Sequence, residues 1–150
     1  MANSYRSHYF HLIWSTKSRK KFIVEEIKQR LYEYIGGIAR NYQAHLLSIG
    51  GTDDHIHLLI SLGRLDKYTE IIKNIKSNSS QWIHKNFPKY SDFAWQDGYG
   101  SFTVSYSAIA DVQNYIANQE KHHKAQSFEN EYFELLNRNE IQYEDRYVLG

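Results

Sequence analysis

The stretch AHLLSIGGTDDHIHLLISL, residues 44–62, decides the fold. Two short apolar runs, 44–50 and 55–62, flank the turn-rich segment GGTDD, which predicts an antiparallel hairpin. On a strand, alternate residues share a face. Ile56, Leu58, Ile60 and Leu62 then form a fully apolar row, expected to pack under helices. His55, His57, Leu59 and Ser61 point the other way, onto a face expected to be open. Upstream, residues 8–16 (HYFHLIWST) read as a strand, and the basic segment Lys17–Lys21 turns the chain. From Glu25 to Asn41, Ile27, Leu31, Tyr34, Ile35 and Ile38 recur at helical spacing, which Gly36 and Gly37 weaken without abolishing. Downstream, a second helix is expected from about Asp66 to Asn86, carrying Ile71, Ile72 and Ile75 and closed by Pro88. Asp97-Gly98 and Gly100 predict a turn, then a strand over 102–106. A third helix follows over about Ile109–Lys124, and a short one over 129–137. The order β-α-β-β-α-β-α fits an α+β, ferredoxin-like fold: a four-stranded antiparallel sheet with two helices on one face. The third helix is left to lie on or beside the other face.

The chain has 150 residues, enough for a single domain with a real core, 41% hydrophobic and 23% charged. That domain is expected to span 1–150, with a core over about 8–128 and an acidic C-terminal extension over 129–150. With no cysteine, disulfide frameworks, thiolate metal sites and thiol nucleophiles are excluded. No apolar run approaches a membrane span, and Met1–Arg6 leads into no signal-peptide core, so a soluble cytoplasmic protein is expected. The net charge is only +1, but its distribution is uneven. Lys17, Arg19, Lys20 and Lys21 form one basic cluster, whereas Glu129, Glu131, Glu134, Glu140, Glu144 and Asp145 gather near the end. Tyrosine is abundant, at 13 residues.

His55-Ile56-His57 places two imidazoles side by side, a pair suited to a divalent metal. With eight histidines in 150 residues, roughly 0.4 such pairs arise by chance, so the motif counts only in combination. Tyr115 and Gln119, four apart, share one face of the third helix, beside a buried stripe of Ile109, Val112 and Ile116. Alone, Tyr115 reads equally as a surface tyrosine capping the core. His122 and His123 diverge by ~100° around a helix, so at most one reaches any common site. Lys17, Arg19, Lys20 and Lys21 suit phosphates, although a solvated turn explains them as well. Gly50-Gly51 and Gly98-x-Gly100 lack the lysine and helix of a phosphate loop, so no nucleotide cofactor is expected. Asp53-Asp54 reads as turn chemistry. The combination carries more than its parts. A metal pair on a central strand needs a third ligand, which a helix crossing that face offers as the Gln119 oxygen. One turn earlier, the Tyr115 hydroxyl is a nucleophile.

The segments HLIWSTKSRKKF (11–22), GGTDDHIHLLISL (50–62), WQDGYGSFTVS (95–105) and YIANQEKHH (115–123) together resemble the small single-tyrosine transposases of the His-hydrophobic-His endonuclease superfamily, including the REP-associated type. The resemblance runs from His8 to about Phe128. It implies a ferredoxin-like fold with the nucleophile on the third helix, a homodimer, and a bacterial or archaeal cytoplasmic setting. It implies cleavage of single-stranded DNA at hairpin-marked element ends, with a 5′-phosphotyrosine link, a free 3′-hydroxyl, and Mg²⁺ or Mn²⁺ as cofactor. By position, His55, His57 and Gln119 match the metal ligands, Tyr115 matches the nucleophile, and Lys17–Arg19 match a loop near the DNA. Two other readings stand beside this one. The sheet could bind single-stranded nucleic acid without cutting it, or the chain could be a domesticated nicking enzyme serving a host repeat.

Overall fold

The computed structural model describes residues 3–150. Four strands, β1 (Tyr9–Ser15), β2 (Ala44–Gly51), β3 (His55–Leu62) and β4 (Gly100–Val104), form one antiparallel sheet in the order β2-β3-β1-β4. Helices α1 (Glu25–Asn41) and α2 (Tyr68–Asn86) supply the two crossovers. This is the expected ferredoxin-like arrangement, and the 44–62 segment is the expected hairpin.

The sheet separates two unequal cores. Ile56, Leu58 and Ile60 of β3 and Leu12 and Trp14 of β1 face α1 and α2, which add Ile27, Leu31 and Ile35 and Ile71, Ile72 and Ile75. Each such side chain, fully withdrawn from water, contributes about 1.5–3 kcal/mol. The periodicity therefore fixes the helices, and α1 runs unbroken through Gly36 and Gly37 because both its ends are anchored in that core. The second core lies on the opposite face. Ile13 of β1 and Phe102 of β4 receive Phe128, Tyr132 and Leu136 from α5 (Phe128–Arg138).

Three elements differ from the sequence reading by more than one residue at an end. The helix expected from Asp66 starts at Tyr68, after a 3-10 turn at Leu65–Lys67. The last strand is Gly100–Val104 rather than 102–106, because Ser105–Ser107 turns the chain through a hydroxyl pair at 3.2 Å. The long helix expected over 109–124 is divided into α3 (Ile109–Ala117) and α4 (Gln119–His122). Asn118 divides them: its ψ of 20° departs from helical values, and its side-chain amide joins its own backbone N–H on the Asn114 carbonyl, at 2.8 and 3.1 Å.

The face carrying His55 and His57 is not open. Helix α3 lies across β2, so closely that a Cβ on Gly50 would stand 2.5 Å from the Ile116 carbonyl oxygen. Helix α5 covers the remainder, and His55 and His57 are both 0% exposed. The last helix, α6 (Asp145–Val148), lies near the start of the basic turn, where Arg19 donates to the Leu149 carbonyl at 3.0 Å. Among the described residues, no helix is long and apolar enough to cross a membrane.

Candidate metal centre and nucleophile

The β1–β3 register sets Ile13 opposite His57 and Ser15 opposite His55, so both histidines stand over the middle of the sheet. Their outer nitrogens are held from behind. Asp54, read from sequence as a turn residue, accepts from His55 Nδ1 at 2.8 Å, and Thr52 donates to the same carboxylate at 3.0 Å. A carboxylate accepts only, so it holds the proton on Nδ1 and turns the Nε2 lone pair inward. His57 Nδ1 lies 2.7 Å from His11 Nε2, on β1.

The inner nitrogens converge with residues from three helices. His55 Nε2 lies 2.9 Å from Gln119 Oε1 on α4. His57 Nε2 and His123 Nε2 each lie 3.0 Å from Glu131 Oε1 on α5. The other Glu131 oxygen accepts from Gln119 Nε2 at 3.2 Å and from the Tyr115 hydroxyl on α3. All four residues singled out by sequence, His55, His57, Gln119 and Tyr115, thus meet around one carboxylate within a single chain.

Burial governs the electrostatics. It pushes His57 down to about 4 and His11 down to about 3, so both rings are neutral near pH 7. For Glu131, burial alone would raise the carboxyl. Hydrogen bonds from His123 and His57 outweigh it and hold the group well below the usual carboxylate range. In His123, burial is likewise outweighed, by Glu131, and the ring is raised above its ordinary value. Burial, then the hydrogen bond to Glu131 and its charge, raise the Tyr115 phenol, which stays protonated and donates to Glu131.

These groups fit a divalent cation. One ligand atom from each of His55, His57, His123 and Glu131 lies within 4.8 Å of the others. Adjacent ligands around a small cation, bound at about 2.0–2.1 Å, stand about 3 Å apart. The contacts of 2.9 and 3.0 Å match that spacing. Moreover, with Nδ1–H donated to Asp54, His55 Nε2 turns a lone pair on the Gln119 oxygen, and a cation satisfies both at once.

Sequence reasoning missed Glu131 and His11 and left His123 open. Glu131 was visible as one more charge of an acidic tail. Its signal is positional: with Phe128, Tyr132 and Leu136 it lies on the buried stripe of α5, where an unpaired carboxylate has no place. Of the adjacent histidines, His123 reaches the site, whereas His122 Nε2 stays 3.8 Å from Glu131 and half-exposed. In the basic segment, Lys17, Lys20 and Lys21 are exposed. Arg19 is instead tied to Glu129 at 3.1 Å. A cavity of about 550 Å³ opens beside Asp54 and His123, with Lys21, Lys28 and Lys124 among its lining residues.

Residues 4–119 match the family described as IS200-like transposases. The chain belongs to that family. This transposase is 27% identical over 115 residues to the ISDra2 transposase TnpA of Deinococcus radiodurans, covering 73% of the chain and 82% of that relative. A crystal structure of a Deinococcus radiodurans protein assigned as a transposase superposes with a TM-score of 0.62 at 27% identity, covering 79% of this chain and 96% of that one. A REP-associated tyrosine transposase bound to a REP hairpin has the same fold, with a TM-score of 0.62 at 14% identity, covering 82% of this chain and 74% of that one. As a transposase, the chain is an enzyme that acts on DNA. His123 and Glu131 lie beyond the family match, in the segment that closes the site.

Proposed function

We propose that this transposase is a metal-dependent single-stranded DNA endonuclease and strand transferase, with Tyr115 as nucleophile and His55, His57 and Gln119 as ligands of Mg²⁺ or Mn²⁺. The observation that carries the reading is the hydrogen bond from the Tyr115 hydroxyl to the carboxylate that also holds His57 and His123. A core-capping tyrosine needs a partner for its hydroxyl, but not one shared with two imidazoles. A bound cation would polarise a phosphodiester oxygen and neutralise the charge that builds up on phosphorus.

The chain's own groups supply the rest. Ring burial keeps His57 neutral, and Asp54 keeps the His55 lone pair directed inward. Gln119 and Tyr115 come from consecutive helices, so the third ligand and the nucleophile are set one turn apart. During attack, a bond forms between the Tyr115 oxygen and phosphorus while the bond from phosphorus to the 3′-oxygen breaks. The hydrogen bond to Glu131 orients the Tyr115 hydroxyl, its proton leaves to solvent as the new bond forms, and the departing 3′-oxygen takes one from solvent. The products are a 5′-phosphotyrosine link and a free 3′-hydroxyl, and the retained ester bond allows rejoining to another end. Lys17, Lys20 and Lys21, with Arg19 beside them, are placed to neutralise backbone phosphates. The hairpin seen with the REP-associated enzyme supports hairpin-bearing DNA as the substrate class. Pairing of two chains belongs to the same proposal and is read by sedimentation of the full chain, where a monomer at all concentrations refutes it.

Incubation with hairpin-bearing single-stranded DNA and Mn²⁺, resolved on a denaturing gel, tests the chemistry. The unsubstituted chain should yield a covalent adduct, and Tyr115→Phe should lower adduct and nicking at least about a thousandfold with hairpin binding retained. An adduct still formed by Tyr115→Phe removes Tyr115 from the role. Binding without any cleavage by the unsubstituted chain favours the non-catalytic module.

A further inference from the structure

Of the two metal histidines proposed above, His55 has a carboxylate behind it that settles which nitrogen carries the proton. His57 has another imidazole there. We propose that His11 is a positioning residue for the cation site: with a cation bound, its Nε2 accepts the His57 Nδ1 proton and so leaves His57 Nε2 free as a ligand. The inference rests on the cation reading above and names a residue beyond its ligand set.

The placement follows from the sheet. His11 stands opposite Leu59, two residues along from the pair Ile13–His57, so His11 and His57 are diagonal neighbours on one face. A one-residue slip of β1 would send His11 into the apolar core, so the register that buries Leu12 and Trp14 also delivers this ring. His11 is buried, and the edges of Phe102 and Tyr115 flank it with ring centroids 6.2 and 6.1 Å away. Its Nε2 has one partner, His57 Nδ1 at 2.7 Å.

Two proton arrangements satisfy that contact. In one, His11 Nε2–H donates to His57 Nδ1. The His57 proton is then on Nε2, where it meets Glu131 Oε1 at 3.0 Å, and the nitrogen is closed to a cation. In the other, His57 Nδ1–H donates to His11 Nε2, the His11 proton sits on Nδ1, and the Nε2 lone pair of His57 faces the site. Only the second suits ligation. Both arrangements hold the same number of protons on the two rings, so the choice between them is a matter of tautomer. His11 can take either role without leaving its place, which a fixed carboxylate cannot.

The test compares His11→Phe, which keeps ring volume and removes the acceptor, with His11→Gln, whose amide oxygen reaches the position of Nε2. Calorimetry with Mn²⁺ on the full chain should show affinity lowered about 10–100-fold by His11→Phe. His11→Gln should restore it to within about threefold, since it returns the acceptor. Ring ¹⁵N shifts of the unsubstituted, Mg²⁺-loaded protein should show His57 protonated on Nδ1, a readout that needs no variant to fold. Unchanged Mn²⁺ affinity in His11→Phe, failure of His11→Gln to restore it, or His57 protonated on Nε2 in the loaded protein each overturn the proposal while leaving the cation site standing. If the unsubstituted chain takes up neither ion, the cation reading itself fails, and this inference falls with it.

Discussion

The two faces of β3 are solved by different physics. Toward α1 and α2, Ile56, Leu58 and Ile60 pack into a large apolar cluster. Burial is non-directional there, and shape and volume decide the fit. Toward α3, α4 and α5, His55 and His57 meet a directional polar network built on Asp54, Gln119 and Glu131. In a low-dielectric site such a network is sensitive to each member. One strand thus separates a face that sets stability from a face that sets chemistry, and substitutions should separate them too.

The largest effect on stability belongs to the apolar face. Leu58→Ala should cost about 2–5 kcal/mol in urea unfolding, from lost burial plus the cavity left behind. Its Mn²⁺ affinity, measured on folded protein, should stay within about twofold, since Leu58 points to the face opposite the site. A tenfold loss of affinity would show that the two faces are not separable.

Glu131→Gln reverses the pattern. The amide keeps the size of the side chain and removes the charge that meets His57, His123 and Tyr115. Mn²⁺ affinity should fall about 10–100-fold, and nicking with it. Unaltered cation binding would show that the Glu131 charge does not help hold the cation and that α5 only covers the site.

The same contrast explains what the sequence made legible. The apolar face was readable in full, because alternation on β3 and helical spacing at Ile27, Leu31 and Ile35 are local signals. His55, His57, Tyr115 and Gln119 were readable as candidates because each pair lies within four residues. Glu131 and His11 were not. They join the site through tertiary contacts across 74 residues to His57 in one case and 46 in the other. Asp54 was visible but ambiguous, since an aspartate in a tight turn needs no second purpose. The open face expected for the histidines failed for a related reason: the sequence showed a short helix over 129–137 in an acidic extension but not which surface would receive it.

A third substitution probes the seam between the faces. On Gly50→Ala, the new Cβ would stand 2.5 Å from the Ile116 carbonyl, so α3 must shift away from β2. Overpacking of this kind costs about 1–3 kcal/mol. Because α3 carries Tyr115, nicking should fall further than the fraction of folded protein does, which thermal melting and single-turnover assays measure together. Proportional losses would mean that the α3–β2 contact supports folding only.

The smallest effect falls at Arg19, where the tail meets the basic turn. Its guanidinium holds Glu129 at 3.1 Å and the Leu149 carbonyl at 3.0 Å, both near the surface. Such pairs contribute at most about 1 kcal/mol, so Arg19→Ala should barely move global unfolding. Hydrogen exchange over 139–150 should nevertheless quicken, because a tie between the end of α6 and the basic turn is gone. The salt dependence of DNA binding then separates the two roles of this residue. If the basic turn lies along the phosphates, both Arg19→Ala and Lys20→Ala should lower the slope of log affinity against log salt by about one. Only the arginine variant should loosen the tail. A slope unchanged in both would remove Lys17–Lys21 from the DNA path and leave Lys21, Lys28 and Lys124 around the cavity as the next basic surface to probe.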